Sequence, residues 1–191
     1  MSMKANTVFV IYENEKVPLL KDGGEHSSIA ASNILNNLGL KGYEADEIDE
    51  EDPEVFCETL GRRGDNIMIG AYSHGFIMDT KLLLIAGTDE PCPLRDRILN
   101  IYGKGIVLFI NLHGTFNYYA YALYEKGELL RAKDGTLDIP VVRDVGVPLP
   151  SEKHALDGSH ATLLVAEAIL GMKILGSDNP FIPVLQSFYP S

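Results

Sequence analysis

The pentapeptide Ala71-Tyr72-Ser73-His74-Gly75 has the form of a relaxed nucleophile elbow, with small residues two positions to either side of a serine. A serine on such a tight strand-to-helix turn presents its hydroxyl for acyl transfer. Acids and bases follow it in the order that chemistry needs: Asp144 or Asp157, then His154 or His160. Leu112-His113-Gly114, at the end of an apolar run, has the look of an oxyanion loop. A second hydrolytic arrangement would use His113 with Asp79 or Asp144 as an acid–base pair. Two features count against the elbow. Residues 76–85 are β-prone where a helix is required, and the His-Gly pair follows the serine where it should precede it. An ordinary β-turn at Ser73-His74 is the simpler expectation.

The remaining motifs are thinner. The five histidines are His26, His74, His113, His154 and His160, with no HExxH and no His-x-His. Cys57 and Cys92 form no CxxC pair, so zinc spacing is missing and no metal or other cofactor is expected. Gly23-Gly24 is followed by Glu25 rather than by the lysine of a phosphate loop. Gly103-Lys104-Gly105 reads as a helix stop. The aromatic stretch Phe116, Tyr118, Tyr119, Tyr121, Tyr124 has only Lys126 beside it, where a base-stacking surface needs flanking cations.

Charge narrows the partners. The chain of 191 residues carries 27 acids and 16 bases, a net charge of −11. Nine of the acids fall in residues 44–58 without a single base. The remainder is nearly neutral. No lysine- or arginine-rich cluster exists to displace counterions, so nucleic acid and anionic membrane are excluded as expected partners. The acidic stretch lacks the glycine of a calcium loop and reads as a solvated face. No apolar run reaches the ~18–20 residues that span a bilayer. Two thiols in a chain of this size suit a reducing compartment, and the expectation is a cytoplasmic protein.

The elements that must position these residues follow from periodicity. Strands are expected at residues 8–12, 43–48, 67–72, 81–85 and 106–110. A hairpin is expected at 118–132, turning at Glu125-Lys126-Gly127. In the hairpin's first strand, Tyr119, Tyr121 and Leu123 alternate with Ala120, Ala122 and Tyr124. Helices are expected at 27–38, with Ile29, Ala30, Ile34, Leu35 and Leu38 inward, from Asp52-Pro53 to Gly61, at 92–102 and at 159–170. Pro140, Pro148 and Pro150 predict a loop-rich stretch, and Asn179-Pro180, Pro183 and Pro190 an irregular tail that docks through Phe181, Ile182, Val184, Leu185 and Phe188. The expected fold is one α+β domain over residues 1–191. Its sheet is mixed or mostly antiparallel, with three to four helices packed on it.

Five stretches carry a resemblance: the N-terminal strand with its Tyr12-Glu13 end, Met78-Asp79-Thr80-Lys81-Leu82, Leu112-His113-Gly114, the run from Tyr119 to Arg131, and Val142-Arg143-Asp144-Val145-Gly146-Val147-Pro148-Leu149-Pro150. Through them the chain resembles a bacterial family of unknown function. It departs from that family at Thr80-Lys81, where two arginines are usual, and at Asn117, where an aspartate is usual. The resemblance implies no reaction, but it points to Asp79, His113, Asn117 and Asp144. With Ser73 and His74 these make up the candidate pocket. The expected function is non-catalytic binding or interaction, with self-association through the aromatic hairpin if one of its faces is uncovered. A small serine or His/Asp hydrolase is the alternative.

Overall fold

A computed structural model describes residues 4–13, 25–49, 65–136, 138–139, 141–171 and 185–191. The expectations for Gly23-Gly24, Cys57, the helix from Asp52-Pro53 and residues 181–184 lie outside them.

Among the described residues nine strands form one sheet: β1 (Lys4–Ile11), β2 (Tyr43–Asp49), β3 (Ile67–Tyr72), β4 (Gly75–Thr80), β5 (Ile106–His113), β6 (Tyr118–Glu125), β7 (Glu128–Gly135), β8 (Arg143–Gly146) and β9 (Leu185–Pro190). Their spatial order is β2-β9-β3-β4-β1-β5-β6-β7-β8. Every neighbouring pair is antiparallel, so the mixed-sheet alternative drops out. Three helices accompany the sheet among the described residues: α1 (Ser28–Asn37), α2 (Pro93–Tyr102) and α3 (Gly158–Leu170).

Side chains alternate across a strand, so each strand feeds two cores. Phe9, Ile77, Leu108, Ile110, Tyr119 and Tyr121 pack with Leu163, Val165, Ala166 and Leu170 of α3. Val8, Val10, Ile69, Phe76, Met78 and Phe109 pack on the other face with Ile34 and Leu35 of α1 and Leu94 and Ile98 of α2. These are called the α3 face and the α1/α2 face below. The central strands β3 and β4 are buried at every position because both their faces are covered.

Local signals set the element ends. The Ser27 side chain accepts from the Ala30 amide and opens α1. Asp157 does the same for α3 through the His160 amide, and Gly171 closes that helix at φ 73°. The hairpin between β6 and β7 turns at Lys126 (φ 53°) and Gly127 (φ 81°), the two positive values that match strand twist.

Four expectations change. The strand placed at 81–85 is β4, six residues earlier, and Lys81–Leu83 is a short 3-10 turn opened by the Thr80 hydroxyl. The proline-rich stretch contains β8 and a 3-10 turn at Pro150–His154. The tail is a strand: β9 inserts between β2 and β3, and Phe188 is buried in the α1/α2 core. Ile29, read as inward, is 78% exposed, because the buried stripe of α1 runs through Ala31, Ile34 and Leu35.

Candidate functional site

Ser73 and His74 are the two loop residues of the β3–β4 hairpin, between the paired Tyr72 and Gly75. Ser73 is exposed, and the His74 carbonyl accepts from the Tyr12 amide at 2.9 Å. The chain then enters a strand, so no helix N-terminus supports an oxyanion behind Ser73.

Asp79 is buried in β4 on the α3 face. Its carboxylate accepts from the Asn6 amide and from the Thr7 hydroxyl, each at 2.9 Å. His113 ends β5, between Lys4 of β1 and Tyr118 of β6. The alternation that puts Leu112 in the α3 core turns His113 to the α1/α2 face. Asp144 lies on the α3 face, bonded to Arg131. The sheet therefore separates His113 from both of the acids that the sequence offered it.

Asp144 belongs to a buried charge cluster that sequence reasoning missed. Arg131 stands in β7 opposite Leu123 and is 1% exposed. Its Nε donates to Glu152 Oε1 at 2.8 Å and its Nη2 to Glu152 Oε2 at 2.7 Å, a two-pronged match of guanidinium to carboxylate. Nη1 reaches Asp144 and also donates to the carbonyl of Val145 at 3.0 Å. Glu152 Oε1 also accepts from the Leu149 amide at 2.7 Å, closing the first turn of the 3-10 segment. The bonds to Glu152 raise the Arg131 pKa against the opposing effect of burial. Burial alone would raise the Glu152 pKa, but the Arg131 bonds and the Leu149 amide hold it below the ordinary value. The buried Tyr121 hydroxyl sits beside this pair without a hydrogen bond of full geometry, and burial pushes its pKa up. An arginine at an inward strand position, with Pro150 and Glu152 opening a helical turn downstream, was the available sequence signal.

Gly146 lets β8 close over this cluster. It has φ +85°, and a Cβ there would stand 2.0 Å from the Leu130 carbonyl oxygen.

Next to the cluster on the same face lies a cavity of about 290 Å3 at the N-terminus of α3. Asn117, Tyr119, Thr136, Leu156, Asp157, Gly158 and Ser159 line it. Asn117 ends the 3-10 turn Gly114–Phe116 in the left-handed conformation (φ 46°, ψ 34°), which asparagine tolerates better than most residues. Gly158 permits the close approach of α3: a Cβ there would stand 2.0 Å from the Tyr119 ring. The Tyr119 phenol has a raised pKa, first through burial and then through Asp134, Asp144 and Asp157. Burial and these acids keep the Tyr119 phenol neutral.

A second polar row lies on the α1/α2 face. Asn111 accepts from the Gly87 amide at 2.7 Å and donates to the Leu83 carbonyl at 2.6 Å and to Asn6 Oδ1 at 3.2 Å. Asp134, 5% exposed, has its pKa raised by burial against the lowering effect of Arg143. Burial and then Asp134 push the Tyr118 phenol up to about 12. Among the described residues no three His, Cys, Asp or Glu side chains are grouped to hold a metal ion, and no helix is long and apolar enough to cross a membrane.

Of the six candidates, Asn117 alone lines the cavity. Asp144, Ser73, His74, Asp79 and His113 do not line it. A family model described as a family of unknown function matches residues 6–172. No curated protein and no solved structure matches the chain.

Proposed function

We propose, for a chain that belongs to the family of unknown function DUF6928, a non-catalytic role: it binds a small neutral or cationic molecule in the cavity at the N-terminus of α3. One observation carries this reading. The lining residues are Asn117, Tyr119, Thr136, the exposed Leu156, Gly158 and Ser159, with Asp157 as their one carboxylate. The charged groups around them already hold structural partners: Glu152 and Asp144 on Arg131, and Asp157 on the His160 amide. A wall with a few hydrogen-bonding groups, whose one carboxylate Asp157 caps α3 through the His160 amide, orients a ligand. In this reading Ser73, His74, Asp79, His113 and Asp144 are scaffold residues. The chain acts as one domain in the cytoplasm, without nucleic acid or membrane as partners.

The test is a fragment library of neutral, cationic and anionic members, followed by amide NMR shifts on the assigned protein. Neutral or cationic fragments are expected to shift residues 117, 136 and 156–159, and Ser159→Leu, which fills the cavity mouth, should abolish those shifts. Binding that clusters around Ser73 or His113, or a preference for anions, overturns the proposal.

A further inference from the structure

One corner of the α1/α2 face gathers polar groups that the fold leaves unsatisfied. Asn6, Asn111, Ala120, Asp134 and Arg143 stand in register across β1, β5, β6, β7 and β8, so they share that face. Tyr118 is the neighbouring residue of β6 on the same face. Asn6 and Asn111 bond to each other, and Asn111 also to Leu83 and Gly87. The outer end of the row differs. Asp134 is 5% exposed, yet among the described residues no hydrogen bond or ion pair reaches its carboxylate, and only the through-space charges of Arg143 and Asp89 act on it. Arg143 Nη1 is buried without a partner. The Tyr118 phenol meets Asp134 only as a charge. A buried charge ordinarily has a partner, so an orphaned carboxylate opposite an orphaned guanidinium nitrogen points to a ligand.

Asp134 lies between two walls. One is the segment 87–89. The Gly87 amide donates to Asn111 Oδ1 at 2.7 Å, and a Cβ on Gly87 would stand 3.1 Å from the carbonyl carbon and the methyl of Ala120, so this backbone lies directly on β6. Arg95, itself 9% exposed, holds the wall by donating from Nη1 to the Thr88 carbonyl at 2.7 Å. The other wall is Arg143, on the edge strand β8.

We infer that this corner binds a free α-amino acid, with the ligand's ammonium on Asp134, its carboxylate on Arg143 and the Tyr118 phenol beside them. Charge selects the class. A lone anion would meet Asp134 and Asp89, and a lone cation would meet Arg143. A neutral amide matches donors to acceptors but leaves both protein charges uncompensated, and charge-assisted hydrogen bonds are roughly twice as strong as neutral ones. A zwitterion answers both. Spacing narrows the class further. Asp134 and Arg143 are directly opposed in an antiparallel pair, where Cα atoms stand about 4.5–5.5 Å apart, so a ligand that meets both carries its charges close together. An α-amino acid carries them on one carbon. This site is on the opposite side of the sheet from the α3 cavity and does not depend on it.

The probes are the free proteinogenic amino acids, added singly to the isotope-labelled full chain and read by amide NMR shifts. Acetate, methylamine, acetamide and γ-aminobutyrate are the partial mimics. At least one α-amino acid should shift residues 118, 134 and 143, and each mimic should bind more weakly than it. Asp134→Asn and Arg143→Met should each weaken that binding about tenfold or more. Asp134→Asn removes a buried charge that has no bonded partner, so the fold should survive it, as circular dichroism would confirm. Ser159→Leu, in the α3 cavity, should leave the binding unchanged. The inference is overturned if no amino acid shifts these residues, if acetate, methylamine or acetamide binds as well, or if binding survives Asp134→Asn and Arg143→Met. Amino-acid shifts confined to residues 117, 136 and 156–159 also overturn it, while leaving the cavity reading in place.

Discussion

Replacing Glu152 by alanine tests whether the Arg131 cluster holds the β8 strap in place. The substitution removes two charge-assisted bonds, at 2.8 and 2.7 Å, from a guanidinium that is 1% exposed. It also frees the Leu149 amide. Removing one partner of a buried pair leaves an uncompensated charge and costs about 3–5 kcal/mol. Asp144 softens the loss only slightly, because its side chain is 43% exposed and such contacts are worth roughly 0–1 kcal/mol in water. The expected destabilisation of Glu152→Ala is therefore about 3–4 kcal/mol, a large part of the ~5–15 kcal/mol that stabilises an ordinary domain. Asp144→Asn should cost under about 1 kcal/mol. The double variant Arg131→Met/Glu152→Leu replaces the pair by apolar groups and should be more stable than Glu152→Ala by at least about 1 kcal/mol.

Urea unfolding read by circular dichroism measures all of these, and hydrogen exchange reports whether β8 opens first. Because the folded Glu152 pKa lies below its unfolded value, its contribution is present above the unfolded carboxylate range near pH 4. It disappears as pH falls through the folded pKa. The parent should therefore lose stability below about pH 4 more steeply than the double variant. If Glu152→Ala costs less than about 1 kcal/mol, or the single substitutions add without coupling, the cluster does not act as a clamp.

Further outcomes follow from the same geometry. Asp79→Ala deprives the Asn6 amide and the Thr7 hydroxyl of their acceptor in a buried site and should cost about 2–4 kcal/mol by urea unfolding, against about 1 kcal/mol for Thr7→Val. Gly146→Ala should destabilise far more than Gly127→Ala. Both glycines have positive φ, but only at Gly146 would a Cβ meet backbone, whereas Gly127 has nothing within 4 Å. Equal melting-temperature losses would refute this. His26 Nδ1 accepts from the Ala71 amide at 3.2 Å, and burial lowers the His26 pKa. Its contribution is present above the unfolded value near 6.5 and is lost as pH falls through the folded pKa. His26→Gln should flatten the stability profile below pH 6.5, and an unchanged slope would count against a half-buried neutral imidazole.

Much of this protein is local enough to be written in neighbouring residues. Ser27 and Gly39 bracket α1, Pro93 and Gly103 bracket α2, and Lys126-Gly127 turns the hairpin, because caps and turns are satisfied by side chains a few positions away. The alternation of Tyr119, Tyr121 and Leu123 with Ala120 and Ala122 fixes which residues share a face, since successive side chains of a strand point opposite ways. Periodicity says nothing about which strand lies next. That β1 sits at the centre of the sheet between β4 and β5, and that residues 185–190 enter between β2 and β3, was decided by long-range pairing and by two faces that both needed covering. The same limit applies to the site. The sequence supplied Asp79, His113 and Asp144 as acids and a base, and only the folded sheet put His113 on one side and both carboxylates on the other. The strand pattern turns Arg131 inward, but its partner Glu152 reaches it only when β7 and the 3-10 turn meet, because a buried charge is tolerated only beside a partner that the fold alone can bring to it.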